Sequence, residues 1–241
     1  MSDPRTSERL RDRRRAETVA DIKAAALDRV ATQGYEAMSL RAVARDVGVS
    51  VQALYHYFPS RDALVTNLIV DCYTDLTAAV RAASGRAGIP SRERVVAAGL
   101  AYRRWALEHR SAFQLTLGVP LSNYAAPVEG PTTVAASQLG ETFRDVIFSE
   151  WTTEQLDALQ IPGELGVSTS RLAAALAGPV LSPGALAYFT SGWATLHGLV
   201  TLELLGHLVW VGDAGEDLLR ATLMGYVETL YRHRSPGPEP D

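Results

Sequence analysis

The side chains of this chain best suited to recognising another molecule lie close together, between Ser39 and Arg61. Ser50, Val51 and Gln52 stand where a serine can cap a short helix and the next two residues form its first turn. A primary amide placed there can make a bidentate contact to an adenine edge, and a valine can touch a thymine methyl. Tyr55, His56 and Arg61 follow, and Ser39 and Arg41 precede; all carry donors that suit phosphate oxygens. Contacts of the first kind discriminate between base sequences, whereas those of the second set the register on the duplex. The chemistry these residues suit is recognition of double-stranded DNA.

Such side chains need a rigid frame, and the intervening residues supply one. Ser39 is placed to cap a helix over Leu40–Val47, Gly48 gives a tight turn, and Ser50 opens a second helix over Val51–Tyr57 that Phe58-Pro59 ends. Val43, Val47, Val49, Leu54 and Phe58 are the apolar positions that would fix the crossing of the two helices. Two short helices about a glycine turn are the signature of a helix-turn-helix, here residues 39–58, whose second helix enters the major groove. Upstream, Ile22, Ala26 and Val30 recur at helical spacing from Thr18 to Gly34. Downstream, Ser60 caps a long helix expected over Arg61–Ser84, with Leu64, Leu68 and Cys72 in register. The expected DNA-binding domain is 17–63.

Charge supports an anionic partner at this end. Residues 1–61 hold 11 Lys+Arg against 8 Asp+Glu, and the remainder holds 12 against 19. Arg5, Arg9, Arg11, Arg13, Arg14 and Arg15 crowd a stretch without apolar period, expected to be a flexible basic arm over 1–16. A solvated tail kept for solubility explains the same charges. The chain of 241 residues is 47% hydrophobic and 21% charged, enough for a sizeable core. Its single cysteine, Cys72, excludes an internal disulfide or a multi-cysteine zinc site, and the start lacks the apolar stretch of a signal peptide. A reducing cytoplasm fits.

Beyond residue 84 the pattern is helical throughout, near 91–109, 132–149, 153–160, 168–177, 185–210 and 214–233, with no alternating strand. The expected fold class is all-α: a three-helix helix-turn-helix domain joined by a long helix to a larger helical domain over 64–234, then a disordered tail over 235–241. The stretch 118–131 is a surface loop or a flap over a cavity. No charge occurs from Leu172 to Leu202, yet Ala185–Leu202 holds only 11 apolar residues in 18, so a buried core or interface helix fits it better than a membrane span.

The residues Gly34–Ser50, followed by Leu54–Leu64, resemble the DNA-binding domain of TetR-family transcriptional regulators. The resemblance places the contacts of that family on Ser39, Arg41, Ser50, Val51, Gln52, Tyr55, His56 and Arg61. Arg29 departs from it, standing where the family has an apolar residue, and so does Val51-Gln52. Gly192–Leu204 is similar to the Trp…His-Gly element of the WHG type of C-terminal domain. The resemblance implies a cytoplasmic, ligand-responsive regulator, most often a repressor, bound to a palindromic operator as a homodimer through its last two helices. Leu186, Phe189, Trp193, Leu196 and Val200, with Leu219, Leu223, Tyr226 and Leu230, offer apolar faces at helical spacing for such an interface. Asp213 with Glu216 would cap the last helix.

Trp105, Phe113, Tyr124, Phe143, Trp151, Trp193 and His197 are candidates to line a cavity for an apolar or aromatic effector, although each also suits a plain core. Tyr188 and Phe189 belong to the same aromatic set. Glu203 and His207, four apart, could present two metal ligands, but a hydrogen-bonded pair fits better, so neither metal nor cofactor is expected. No catalytic motif is present, and the expectation is not an enzyme. The alternative reading is a helical small-molecule-binding protein or metalloenzyme without specific DNA binding. A non-specific architectural DNA binder would leave the acidic remainder without a use.

Overall fold

The computed structural model describes residues 4–35, 38–118, 124, 129–160 and 181–234. Among them all regular structure is helical: α1 Pro4–Gln33, α2 Leu40–Val47, α3 Val51–Tyr55, α4 Arg61–Ser84, α5 Ser91–Glu108, α6 Arg110–Leu117, α7 Pro131–Phe148, α8 Thr153–Asp157, α9 Pro183–Leu204 and α10 Gly215–Arg232. A 3₁₀ turn over Val209–Ala214 precedes α10. The expected helix at 168–177, the tail 235–241 and most of the loop 118–131 lie outside the described residues.

The chain forms two compact units, Met1–Asp75 with Glu108–Ser137, and Leu76–Leu107 with Gln138–Asp241. This division crosses the chain three times, whereas the sequence pattern implies one boundary at residue 64. In the first unit Ile22, Ala26, Met38, Val43, Leu54, Phe58, Leu64 and Leu68 close one core, and Leu115 of α6 joins it. The sequence pattern misses α6 because only His109, at φ −122° and ψ 49°, separates it from α5.

A correction concerns the arm. Helix α1 begins at Pro4, so 4–16 continue a helix rather than forming a flexible lead. Arginine, glutamate and alanine are good helix formers, and extending a helix already nucleated by a packed segment needs no apolar face of its own.

In the second unit α9 is set by Ser182, whose Oγ accepts from the Ala185 amide, and by proline in its first turn. It stops at Leu204, six residues short of the expected 210. Ala214, not Asp213, occupies the cap position of α10, and no side chain caps it. The apolar faces expected to pair with a second subunit are turned into this unit instead. Leu196, Val200, Leu219, Leu223 and Leu230 are buried, while Phe189, Trp193 and Tyr226 line an internal cavity. The reason is competition: α5 and α7 offer Val95, Phe143 and Ile147 within the same chain.

Two glycines mark opposite extremes of packing. A Cβ on Gly184 would fall 1.7 Å from the Leu159 carbonyl oxygen, a backbone atom that cannot swing away, whereas one on Gly140, inside α7, would meet nothing within 4 Å. Gly184→Ala is therefore expected to destabilise the protein by about 1–3 kcal/mol or more. Gly140→Ala should stabilise it by about 0.5–1 kcal/mol through helix propensity. Denaturant unfolding of both variants, followed by circular dichroism, checks the opposite signs.

Candidate nucleic-acid interface

The hydroxyl of Ser39 accepts from the Ala42 amide at 3.2 Å and starts α2; that of Ser50 accepts from the Ala53 amide at 3.0 Å and starts α3. Between them Gly48 adopts φ +75°, and the amides of Gly48 and Val49 donate back to the carbonyls of Arg45 and Ala44. This closes α2 with the paired bonds of a left-handed terminus, a conformation that favours glycine. Leu54 is fully buried and Phe58 nearly so, which turns the opposite face of α3 to solvent.

That outer face carries Gln52, Tyr55 and His56, all exposed; Tyr55 is 51% exposed. Ser39, Arg41 and Ser50 are also exposed. Val51 is half-buried and packs partly on the core, so only part of it faces outward. Arg61, the remaining phosphate candidate, is half-buried. Its guanidinium lies 4.0 Å over the Tyr35 ring and donates to the Tyr35 carbonyl at 2.8 Å, which makes it a brace between the end of α1 and the start of α4. Regular α3 ends at Tyr55, with His56 to Phe58 continuing as turns.

Arg29, the departure from the family pattern, is buried and grips Asp46 of α2 with two N–H groups, Nε to Oδ2 and Nη2 to Oδ1, while Nη1 donates to Gln33 at 3.0 Å. Hydrogen bonding from Arg29 holds the Asp46 carboxyl below its ordinary range and, reciprocally, holds the guanidinium more firmly charged. One contact was hidden from sequence reasoning: the Arg15 guanidinium lies 5.2 Å over the ring of Tyr57, just past α3. The run of arginines signalled charge but not this placement.

Of the seven aromatic and histidine candidates for an effector site, two meet at one cavity. Phe143 and Trp193 line a narrow recess in the second unit, with Val95, Ile147, Phe189, Leu196, Leu223 and Tyr226. Sequence reasoning missed Gly99 and Gly192, which let α10 approach: a Cβ at Gly192 would stand 2.7 Å from the Tyr226 ring. His197 stacks on Trp193 at 5.7 Å with 8° between planes, and its Nδ1 pairs with the Tyr102 hydroxyl at 2.8 Å. Burial lowers the His197 pKa, favouring the neutral ring. The Tyr226 hydroxyl donates to the Tyr188 carbonyl at 3.0 Å, and burial raises its pKa strongly. No charged side chain lines the recess.

The other candidates lie elsewhere. Trp105 is buried in α5, Trp151 packs edge-on against Phe148 and Tyr231, and Phe113 and Tyr124 belong to the first unit, where the Tyr124 hydroxyl meets Thr66. Glu203 takes a bidentate grip from Arg103, and His207 sits in the turn beyond α9, so the two do not share a helix face.

Comparison with known proteins identifies both halves of the chain. The family described as bacterial regulatory proteins, tetR family, matches residues 22–68, and the tetracyclin repressor-like C-terminal domain matches 95–226. The HTH-type transcriptional regulator Rv1816 of Mycobacterium tuberculosis is 37% identical over 111 residues, 46% of this chain and 47% of its own length; the match spans about half of that relative. The crystal structure of SCO4313 superposes with a TM-score of 0.71 at 30% identity, over 90% of this chain and 98% of that one. A protein of unknown function from Rhodococcus sp. RHA1 shares the fold at a TM-score of 0.64 and 24% identity, over 88% and 94%.

The Arg29–Asp46 pair gives the interface a pH dependence of definite sign. A carboxylate with a depressed pKa contributes stability above its unfolded-state value, and the contribution is lost as pH falls through the folded-state value. Asp46→Asn should lower the unfolding midpoint at neutral pH, leaving the buried Arg29 without its anion. Wild type should then lose more stability than the variant as pH falls below the ordinary carboxylate range, so that the two curves converge; thermal unfolding at several pH values measures this.

Proposed function

The chain belongs to the TetR family of bacterial regulatory proteins, DNA-binding transcriptional regulators, and from this we propose that it is a homodimeric repressor, released from a palindromic operator by a small apolar molecule. The observation that carries the DNA-reading half is the exposed face of α3, with Gln52, Tyr55 and His56 in solvent over a buried Leu54. Gln52, with the outward part of Val51, reads base edges. Tyr55 and His56, with Ser39 and Arg41, hold phosphates, while the Ser50 and Ser39 hydroxyls also cap their helices. Arg61 acts as a brace for this surface.

Two subunits join through the outer faces of α9 and α10. Gly198 and Gly225 have open space where a side chain would stand, which supports close helix approach. Leu202, Leu205, Val209 and Trp210 leave apolar surface in solvent around the end of α9, and such surface in a folded protein favours a partner. Half-sites then lie about 34 Å apart or a small multiple of that.

The recess between Phe143, Trp193 and Tyr226 takes the effector. Its lining carries no charge, and its one hydroxyl is already paired with Tyr188, which supports a neutral aromatic or alicyclic molecule. Response is linkage: a ligand favoured by the arrangement that binds DNA poorly must weaken DNA binding, and DNA weakens ligand binding by the same factor. Helices α4 and α7, which each contribute to both units, are covalent routes between them. The work is done in the cytoplasm, on the chromosome.

Selection of bound fragments from a random DNA pool at about 150 mM salt tests the reading, since weak non-specific attraction is largely screened there. A palindrome is expected; a folded dimer that enriches nothing overturns it. Gln52→Ala should relax preference at one position at a cost of about 1–3 kcal/mol. Tyr55→Phe with His56→Ala should weaken operator and random duplex alike. For the effector, a panel of neutral aromatic compounds should contain ligands that raise stability by about 2.7 kcal/mol at 100 times their Kd, while their carboxylated analogues do not; thermal shift measures both.

A further inference from the structure

We infer that the arginine-bearing start of α1 is a second DNA contact, in which Arg11 and Arg15 grip phosphates that flank the stretch faced by α3. The inference rests on the reading of the chain as a DNA-binding regulator and extends it beyond the helix-turn-helix.

The argument begins with the direction of α1. Arg11, Arg15, Thr18 and Ile22 follow one another by four, three and four residues and so share one face of a continuous helix. Ile22 is fully buried in the first unit, whereas residues 9–17 are all exposed. The face that packs at Ile22 thus continues past the packed part of the helix, and there it carries guanidinium groups instead of apolar ones. Arg15 is placed by the ring of Tyr57, which it covers at 5.2 Å, and Tyr57 follows α3 directly. The guanidinium is therefore beside the segment that carries Tyr55 and His56.

Arg11 stands one turn further out, about 6 Å along the axis. Two nucleotide steps of one strand advance about 6.8 Å, so a pair of arginines one turn apart suits two phosphates with one between them. Each guanidinium is permanently charged and can donate two parallel hydrogen bonds to a phosphate. A rigid helix presents them at lower entropic cost than a flexible arm would. The opposite face is different: Arg9, Arg13 and Glu17 align there, and Arg13 pairs with Glu17 at 3.5 Å. Contacts to phosphate carry no sequence information. The extension accordingly adds affinity and salt dependence and leaves base preference to α3.

Two double variants of the full-length protein test this, each removing the same charge from a different face: Arg11→Gln with Arg15→Gln, and Arg9→Gln with Arg13→Gln. Glutamine is nearly as good a helix former as arginine, and circular dichroism verifies that helix content is kept. Binding is measured at about 50 to 200 mM salt to the duplex recovered by selection and to a mixed-sequence duplex of equal length. The first pair should reduce the salt slope by about 2 per bound subunit on both duplexes, at about 0.9 per phosphate contact, without changing the selected palindrome. The second pair should change it by less than about half as much, and Arg11→Lys with Arg15→Lys should keep most of the wild-type slope. Equal losses from both glutamine pairs, or no loss from the first, overturn the second contact while the regulator stands. Wild-type protein without salt-dependent affinity for either duplex removes both readings together.

Discussion

The first unit depends on one buried charge and its answer. Arg29 sits inside α1 at a depth where an uncompensated guanidinium would be costly, and Asp46 supplies two carboxylate oxygens from α2. Because the contact is bidentate, it sets orientation as well as distance between the two helices. The consequences run in both directions from it. Along α2 it holds the segment that ends at Gly48 and so sets where Ser50 can begin α3. Along α1 it helps fix the axis that carries Arg15 to the Tyr57 ring. An apolar residue at position 29 would pack there but would not define that angle.

The second unit follows a different rule, close approach of helices through absent side chains. Gly99 and Gly192 bring α10 against α5 and α9, and Gly184 lets the start of α9 touch the backbone at Leu159. Around this contact Tyr102, Phe143 and Trp193 form a mutually edge-on triad with centroids 5.6 to 6.0 Å apart. His197 stacks on Trp193 and is oriented by the Tyr102 hydroxyl, so the Trp…His-Gly element is a packing unit first. The recess beside it is what remains when rigid rings surround glycine-sized gaps. Its neutrality is a consequence of what surrounds it, and Arg103 is paired with Glu203 and Glu216.

Much of the helix-turn-helix surface was legible because short-range chemistry controls it. Ser39, Ser50 and Ser60 act as caps on the next three residues, and Gly48 takes the left-handed turn that a glycine between two short helices implies. The apolar spacing of Ile22, Ala26, Leu54 and Phe58 reports which faces turn inward. The contact of Arg61 with Tyr35 was not legible, because the two are 26 residues apart. The aromatic candidates were scattered for the same kind of reason: composition reveals that a ring will be buried, not which cavity it borders.

By itself, then, the sequence determined the all-helical class, the helix-turn-helix with its outward Gln52, Tyr55 and His56, and the concentration of positive charge near the start. These properties arise from caps, turns and periodicity, all of which act within a few residues. Only the tertiary structure decided that α1 extends to Pro4 with Arg15 against Tyr57, that Arg29 is answered by Asp46, and that the apolar faces of α9 and α10 close on their own unit. Those outcomes depend on contacts between residues distant in the chain, where several partners of equal hydrophobicity compete and geometry alone selects among them.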